Sequence, residues 1–578
     1  MTRTVMGAAA LRDMGGERMG TAEAAVRRTG VDTWWRDAVV YQLYIRSFAD
    51  GNGDGIGDIA GIRARLGHLR DLGVDAVWIN PWYPSPMADG GYDVADYRAV
   101  EPVFGTEEEA AALVEEAHAL GLRVILDIVP NHSSDRHVWF QEALAAGPGS
   151  PERARYHFRP GRGPGGDEPP NDWRSVFGGT AWTRVTDGGE PGEWYLHLFD
   201  AAQPDLNWAD PRVREEFESI LRFWFDRGVD GFRIDVAHGL VKSDGLPDLG
   251  GDDENMLAPV ERTDHPHWDR DGVHEIYRGW RRVADSYPGG RVFVAEAWVD
   301  SPERLARYLR PDELHTAFNF DFLRTPWDAP ALRKSIDHSL ATVAEVGAPP
   351  TWVLSNHDVV RHVSRLGRPA TNGAGHSLSH LAPATTLDLE LGRRRARAAA
   401  LLMLALPGGA YVYQGDELGL WEVEDLPEEV LQDPTWERSG HTDRGRDGCR
   451  VPLPWSGSAP PFGFSPAGAQ AAPWLPQPAG FASVTVEAQV SDPGSMLSLY
   501  RAALALRHAH PALGEGEFTW MPSGPDVLTF SRGAGFVCVV NLSDVPAPLP
   551  AAASVLLASD PDLTDGELAP DAAAWLSV

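Results

Sequence analysis

The chain has 578 residues, of which 83 are acidic and 51 basic, and a formal net charge of −32 at pH 7. A chain of this length is too long for one compact core, so we expect a large domain and one or two smaller ones. The negative charge argues against nucleic acid and anionic membranes as partners, and it favours a neutral or cationic small molecule. Oligomeric state cannot be read from these properties.

The N-terminal segment, residues 1–30, carries charges throughout and lacks the apolar run of a signal peptide. We therefore predict a disordered tail and a cytoplasmic protein. No later stretch reaches the length of a membrane span. The two cysteines, Cys449 and Cys538, match no metal or redox spacing, which favours two reduced thiols over a disulfide.

Short apolar runs rich in β-branched residues alternate with helical patterns from Trp34 onward, which is typical of a parallel sheet wound with crossover helices. Eight runs are predicted as strands: 38–45, 75–80, 123–129, 230–236, 291–297, 316–320, 351–355 and 410–415. Eight strands of this kind predict an α/β fold, a closed (β/α)8 TIM barrel.

Two regions interrupt this alternation. A long insertion rich in Gly, Pro and Trp follows the third strand, and we assign 132–205 to an inserted domain. The catalytic barrel then comprises 31–131 and 206–505. Short strands near the C-terminus predict an antiparallel β domain over 506–578.

The stretch FADGNGDGIGDIAGI, residues 48–62, places oxygen-bearing side chains at alternate positions: Asp50, Asn52, Asp54 and Asp58. This is the first half of an EF-hand pattern, but Gly61 stands where an EF-hand has its bidentate glutamate. The residues are compatible with a bound hard cation or with a tight turn of Gly and Asp.

Acidic residues follow three of the predicted strands. Arg233 and Asp235 are two apart, so their side chains leave the same face of the strand. Glu296 ends the next strand, and Asp358 follows a later one beside His357. A pair such as Arg233 and Asp235 could be a structural ion pair, but several acids converging on one barrel rim perturb each other's pKa values, as a glycosidase requires.

Four motifs, DIVPNH (127–132), GFRIDVAH (231–238), EAW (296–298) and SNHD (355–358), resemble the signature regions of the α-amylase family, glycoside hydrolase family 13. A fifth, QPDLNW (203–208), is similar to a region of the oligo-1,6-glucosidase and α-glucosidase branch. The resemblance extends over almost the whole chain from Trp34.

The resemblance implies specific roles. Asp235 matches the nucleophile, Glu296 the general acid and base, and Asp358 the third carboxylate, which grips sugar hydroxyls. Three further residues match donors to the sugar: His132, Arg233 and His357.

Further matches concern the length and linkage of the substrate. Tyr92 and Asp93 resemble the stacking aromatic and the carboxylate that receive the terminal glucose, and Arg450 resembles the arginine that closes the pocket with that carboxylate. A pocket closed in this way implies exo action. Val236, after the nucleophile, resembles the valine of α-1,6-acting members, but both α-1,4 and α-1,6 linkages remain open.

In relatives, the loop after the first strand binds a structural calcium or magnesium ion. The matching positions here are Asp50, Asn52, Asp54, the carbonyl of Ile56, and Asp58. The resemblance implies no organic cofactor.

The expected function is that of a retaining, exo-acting α-glucosidase that releases glucose from short oligosaccharides such as maltose, isomaltose and maltodextrins. One alternative is a transglucosidase or a sucrose- or trehalose-active enzyme of the same family. A remote alternative is a non-catalytic scaffold, although such a protein is expected to lack acids at the rim.

Overall fold

The computed structural model describes residues 31–187, 189–250, 264–369, 386–550, 553–563 and 566–578. The predicted disordered tail, 1–30, lies outside the described residues. Within the described ranges, none of the helices combines the length and the apolar character needed to span a bilayer. Cys449 and Cys538 are both buried free cysteines, which confirms the prediction of unpaired thiols.

The strands are, in chain order, β1 Val39–Leu43, β2 Ala76–Ile79, β3 Arg123–Ile128, β4 Phe158–Arg159, β5 Trp182–Asp187, β6 Glu190–Leu196, β7 Gly231–Ile234, β8 Val292–Ala295, β9 Thr316–Ala317, β10 Thr351–Val353, β11 Gly409–Tyr413, β12 Phe518–Trp520, β13 Val527–Arg532, β14 Phe536–Asn541, β15 Ala547–Pro548, β16 Ser554–Ala558, β17 Glu567–Leu568 and β18 Ala572–Ser577.

The α-helices are α1 Ile45–Phe48, α2 Ile59–Leu72, α3 Glu107–Ala119, α4 Val138–Ala146, α5 Pro211–Phe225, α6 Val273–Asp285, α7 Pro302–Tyr308, α8 Phe320–Arg324, α9 Ala329–Val346, α10 His362–Leu366, α11 Leu389–Ala405, α12 Pro434–Arg438, α13 Val486–Gln489, α14 Met496–Ala509 and α15 Pro511–Glu515.

The eight predicted barrel strands are all present and form one parallel sheet in the order β10-β11-β1-β2-β3-β7-β8-β9. The sheet curls into a nearly closed barrel. At the seam between β9 and β10, the Thr351 hydroxyl donates a hydrogen bond to the Ala317 carbonyl. The prediction of a TIM barrel is confirmed.

Side-chain alternation along the strands explains why this sheet closes on itself. In β1, Val39, Tyr41 and Leu43 pack outward in the large core shared with the helices, whereas Val40 points into the barrel. The inner cluster is small and apolar, and it includes Trp78, Ile125, Val292, Val294, Val353 and Tyr411. Above this layer the inward positions become polar, which places the chemistry at the carboxyl ends of the strands.

Two of the helices around the barrel begin at capping residues. Thr106 caps α3, and Glu109 returns the hydrogen bond in a capping box. Asp210 caps α5, which starts with a proline. These caps set where each crossover helix begins.

The chain between β3 and α5 forms a separate antiparallel sheet of three strands in the order β4-β6-β5. Its core contains Trp173, Trp182 and Leu196, and it also takes in Val236 from the loop after β7. The inserted region therefore packs directly on the residue that follows Asp235.

The C-terminal strands form a five-stranded antiparallel sheet, β12-β13-β14-β18-β16, and a two-stranded sheet, β15-β17. The indole N–H of Trp575 donates to the Leu401 carbonyl at 3.0 Å, and Arg532 donates to the Ala405 carbonyl at 2.7 Å. These contacts dock the predicted antiparallel domain on α11.

Candidate active site

Four buried carboxylates meet at the carboxyl end of the barrel. Asp127 lies in β3, Asp235 follows β7, Glu296 follows β8, and Asp358 follows β10. Their positions continue the inward-facing series of each strand, for example Ile125 then Asp127 in β3. Parallel strands therefore bring together the three acids predicted to be catalytic.

The Arg233 cluster consists of Arg233, Asp127, Asp235 and Glu296. The guanidinium Nη1 lies 2.9 Å from Asp127 Oδ1 and 2.6 Å from Asp235 Oδ1, and Nη2 lies 2.6 Å from Glu296 Oε2. Burial raises the pKa of Asp235 well above its ordinary value; Arg233 opposes this shift, and the charges of Glu296 and Asp127 add to it. Burial likewise raises the pKa of Asp127 to about 6. Three carboxylates on one guanidinium favour the retention of a proton in the cluster.

The two oxygens of Glu296 have different partners. Oε2 accepts from Arg233 and, at 3.2 Å, from the backbone N–H of Val236. Oε1 accepts from the indole N–H of Trp298 at 3.1 Å. Val236 has a φ of +45°, in the left-handed region that β-branched residues rarely adopt. This backbone strain sits beside the predicted nucleophile and aims an amide at Glu296.

Asp358 lies in a two-arginine corner formed by Arg446 and Arg450. Arg446 Nη1 and Arg450 Nη2 each lie 3.0 Å from Asp358 Oδ1, and His357 Nε2 lies 3.2 Å from Oδ2. Burial alone would raise the pKa of Asp358, but the charges of Arg446 and Arg450 hold it well below its usual range. Asp358 is therefore ionised at neutral pH.

His357 is held between two polar side chains. Its Nδ1 lies 2.7 Å from Gln42 Nε2, and its Nε2 lies 2.7 Å from the hydroxyl of Tyr92. The rings of Tyr92 and His357 are stacked with centroids 5.3 Å apart. Burial lowers the pKa of His357 well below its ordinary value. The ring is therefore neutral and its orientation is set by these partners.

His132 joins the inserted domain to the pocket. Its Nε2 lies 3.2 Å from the Tyr92 carbonyl and 3.1 Å from Gln203 Nε2, and its ring packs on Phe199. Burial lowers the pKa of His132 to about 4, so this ring is also neutral at pH 7. The structure thus gathers all three predicted sugar donors, including Arg233.

The closed end of the pocket differs from the prediction. Arg446 Nη2 donates to Asp89 Oδ1 at 2.7 Å, so the ion pair forms between Arg446 and Asp89, whereas Arg450 contacts Asp358. The Asp93 carboxylate turns into its own loop and accepts from the Ser85 hydroxyl at 2.7 Å. Burial raises the pKa of Asp93 to about 6. The predicted pairing of Asp93 with Arg450 is wrong.

The misassignment has a simple cause, because each correct residue stands a few positions before the one predicted. Asp89 precedes Tyr92 in the same glycine-rich loop, and Arg446 precedes Arg450 in RDGCR. Loop residues have no fixed period, so the sequence alone did not show which member of each pair faces the pocket. Sequence reasoning also missed the aromatic Phe177, whose ring lies 5.3 Å from the Arg446 guanidinium.

A buried lysine ties the inserted domain to the barrel. Lys242 Nζ lies 2.7 Å from Asp205 Oδ2, 2.8 Å from Asn131 Oδ1 and 2.5 Å from the Gly239 carbonyl. Only one other lysine exists in the chain, Lys334. Lys242 does not touch the predicted catalytic acids, so the cluster is structural.

The predicted metal loop precedes α2. Asp50 accepts from the backbone N–H of Gly53 at 2.6 Å, and Asp58 caps α2 by accepting from Gly61 at 2.6 Å. Burial raises the pKa of Asp58, and the negative charge of Asp50 adds a smaller effect in the same direction. In the described ranges, no group of three or more His, Cys, Asp and Glu side chains is arranged to hold a metal ion.

Two buried acids close together are chemically suited to a hard cation. The remaining predicted ligands of the loop are an amide, a carbonyl and an exposed carboxylate: Asn52, Ile56 and Asp54. A cation here would therefore need the neutral oxygen ligands of Asn52 and Ile56 in addition to the carboxylates. The residues fit such an ion without requiring it.

Comparisons with known proteins agree with this geometry. Residues 42–516 match the model of the α-amylase catalytic domain, and 523–575 match a domain of unknown function, DUF3459. A probable α-glucosidase of Rhizobium meliloti (strain 1021) is 39% identical over 535 residues, which is 89% of this chain and 90% of that protein.

An oligo-1,6-glucosidase of Parageobacillus thermoglucosidasius is 33% identical over 551 residues, 88% of this chain and 91% of that protein. The crystal structure of the α-glucosyl transfer enzyme XgtA superposes with a TM-score of 0.81 and 36% identity, covering 94% of this chain and 99% of that one. The protein is therefore an enzyme that belongs to the α-amylase family of glycoside hydrolases, family 13, the family that its barrel-rim acids indicate.

Proposed function

We propose that this enzyme is a retaining, exo-acting α-glucosidase that releases the terminal glucose of short α-glucosides. The observation that carries the proposal is the ion pair between Asp89 and Arg446 beside Asp358, a position at which it would close one end of a sugar pocket. A closed end admits one sugar ring beyond the catalytic acids. The enzyme then acts at chain ends, not within long polymers.

Asp235 is the proposed nucleophile. Its carboxylate attacks the anomeric carbon, forming a bond to that carbon as the bond to the leaving oxygen breaks. Glu296 gives its proton to the leaving oxygen. Glu296 then takes a proton from water, which attacks the same carbon and releases glucose and free Asp235. The two inversions give net retention.

The Arg233 cluster holds both reacting acids on one guanidinium, and the three acids share the proton that the raised pKa of Asp235 retains. The chemistry requires one carboxylate to be ionised and one to be protonated at the same time. Mutual repulsion among the three acids supplies a retained proton, and the separate hydrogen bonds from Arg233 to Asp235 and Glu296 orient both groups. Asp358, ionised by its arginines, stabilises the positive charge that develops on the sugar ring.

Glucosyl transfer is a second candidate function. It is supported by the likeness to XgtA, which is described as an α-glucosyl transfer enzyme. A sugar hydroxyl would replace water in the second step, with Glu296 again taking the proton. Neither the acids nor the closed pocket distinguishes the two acceptors, so product composition at high sugar concentration is the deciding measurement.

The linkage preference is proposed to include both α-1,4 and α-1,6 bonds. Val236 is buried in the apolar cluster of the inserted domain beside Trp173 and Leu246. A single side chain that lines the substrate pocket shifts the discrimination between two substrates by only about 1–3 kcal/mol. A strict preference for one linkage is therefore not expected from Val236 alone.

We also propose that the loop of Asp50, Asn52, Asp54 and Asp58 binds a structural calcium or magnesium ion, with the Ile56 carbonyl as a further ligand. Asp50 and Asp58 are both buried, and a cation would neutralise their repulsion. The loop lies at the start of α2, so the ion would stabilise the fold without entering the reaction.

The main test is glucose release from maltose and isomaltose at equal concentrations, by the wild type and by Asp235→Asn. Loss of the nucleophile is expected to reduce kcat by on the order of 10³-fold or more on both sugars. The ratio of the wild-type rates on maltose and isomaltose shows which linkage the enzyme prefers. Full activity in a verified, uncontaminated Asp235→Asn protein contradicts the mechanism.

A further inference from the structure

We propose that Trp298 is a positioning residue for the general acid, because its indole N–H anchors the oxygen of Glu296 that carries the transferable proton. The inference rests on the proposed function, in which Glu296 is the acid. Trp298 stands two residues after Glu296 and is 5% exposed. Its Nε1 lies 3.1 Å from Glu296 Oε1.

The hydrogen bonds of Glu296 identify which oxygen bears the proton. Oε2 accepts from Arg233 at 2.6 Å and from the Val236 amide at 3.2 Å. An oxygen that faces two donors, one of them charged, has little room for a proton of its own. From the part of the chain that the structure describes, Oε1 accepts one hydrogen bond, that of Trp298, and retains a free direction. The proton of the acid therefore resides on Oε1.

An indole N–H can donate but not accept, so its effect on Oε1 is directional. It occupies one lone pair of that oxygen whether Glu296 is protonated or ionised. The O–H must then point in the remaining direction, away from Trp298. In this way Trp298 orients the proton toward the glycosidic oxygen and stabilises Oε1 after the proton has left.

The indole itself is held in place by stacking. Trp298 lies parallel to Phe320, with ring centroids 3.6 Å apart and an interplanar angle of 6°. Phe320 is 7% exposed and begins α8, on the segment that follows β9. A parallel stack restricts tilting of the indole plane and hence the direction of its N–H. Phe320 thus supports the position of Glu296 through Trp298.

The test uses two substrates that differ in their need for an acid. Maltose needs a proton on its leaving oxygen, whereas α-glucosyl fluoride loses fluoride without one. For Trp298→Phe, which keeps the ring but lacks the N–H, we expect kcat/KM for maltose to fall about tenfold. The value for α-glucosyl fluoride is expected to stay within about twofold. A general loss of structure would lower both.

A variant at a second position guards against a folding artefact. Phe320→Leu keeps the N–H of Trp298 but loosens the stack, and we expect a smaller loss that is again confined to maltose. Trp520→Phe serves as the matched control, because it removes a surface indole N–H that donates to Asp337. It is expected to leave both substrates unaffected. Thermal unfolding midpoints are recorded for all variants.

A double-variant comparison separates this inference from the proposed function. In a Glu296→Gln background, adding Trp298→Phe is expected to cause no further loss with maltose, since both act through one carboxyl group. If Glu296→Gln alone keeps full activity on maltose, the assignment of the acid is wrong. If Glu296→Gln loses maltose activity while Trp298→Phe affects both substrates equally, only the role of Trp298 is overturned.

Discussion

The two halves of the active site differ in the balance between acids and arginines. In the Arg233 cluster one guanidinium serves three carboxylates, and the pKa of Asp235 is raised well above its ordinary value. In the two-arginine corner, Arg446 and Arg450 surround Asp358, whose pKa is held well below its usual range. Burial acts in the same direction on Asp235 and Asp358, raising the pKa of each, so burial does not explain the difference. The number of nearby cations decides whether an acid keeps or loses its proton.

This difference matches the chemistry of the proposed reaction. Protonation of a leaving oxygen needs a proton held among the acids of the Arg233 cluster, which must lie on Glu296 while Asp235 is ionised, whereas stabilisation of a cationic sugar ring needs a carboxylate that is always ionised. One fold supplies both conditions within a single pocket. It does so by placing one arginine on a barrel strand and two on a loop that follows the barrel.

The largest expected effect comes from removing a cation from the two-arginine corner. In Arg446→Met, the carboxylates of Asp89, Asp358 and Asp433 lose a partner, and kcat/KM is expected to fall roughly 10³-fold, equivalent to about 4 kcal/mol. The pKa of Asp358 rises without Arg446. The acid limb of the pH profile for kcat/KM is therefore expected to move to higher pH.

The matched control is Arg227→Met, which removes an exposed arginine at the end of α5 that packs on Phe223. It is expected to change neither the rate nor the pH profile. An acid limb that does not move in Arg446→Met would show that the arginines do not control the ionisation of Asp358, and the comparison of the two halves would fail.

The next effect concerns a buried cation outside both halves of the site. In Lys242→Met, the Asp205 carboxylate keeps its hydrogen bonds from the Leu198 amide and the Asn131 side chain but loses its cationic partner. Breaking the buried pair is expected to weaken the folded state by roughly 3 kcal/mol. The thermal unfolding midpoint then falls by several degrees, while the shape of the pH profile is unchanged.

Lys334→Met is the control for this change, because it removes the only other lysine, which is exposed on α9. A midpoint equal to wild type in Lys242→Met would contradict the structural role. A shifted pH profile would instead extend the electrostatic control of the site to Lys242.

The smallest expected effect is that of the proposed metal loop. Chelation of divalent cations is expected to lower the unfolding midpoint by a few degrees, because a bound ion stabilises the fold by about 2 kcal/mol at concentrations well above its Kd. Asp54→Ala is expected to abolish the dependence on calcium. Asp71→Ala, at an exposed acid on α2, is expected to preserve it. Equal midpoints with and without chelator, together with no heat of calcium binding, would refute the ion.

Much of the barrel and its three acids could be predicted from local patterns. Seven of the eight strands fall within the predicted runs, because a buried parallel strand needs a continuous apolar run whatever surrounds it, and β11 begins one residue earlier than predicted, at Gly409. Asp235 and Glu296 follow from those strands, since the side-chain period of two carries their positions to the rim. These residues are determined by the strand that precedes them.

The loops could not be predicted in the same way. The resemblance pointed to Asp93 and Arg450 and did not single out Asp89 and Arg446, which the structure pairs. Lys242 carried no pattern that distinguished it from packing residues, and Trp298 stood in the EAW motif without a role of its own. Each gains its meaning from a partner that is distant in the chain or lies across a turn, such as Asp205 for Lys242.

The amino-acid sequence thus determined the barrel, the strands that carry its acids, and the family of the protein. The closed end of the pocket, the unequal sharing of arginines and the anchoring of Glu296 were decided only by the tertiary structure. The physical reason is the distance along the chain over which each effect acts. Hydrophobic periodicity acts between neighbouring residues, whereas the pKa of a buried carboxyl depends on which charges the folded chain brings within a few ångströms of it.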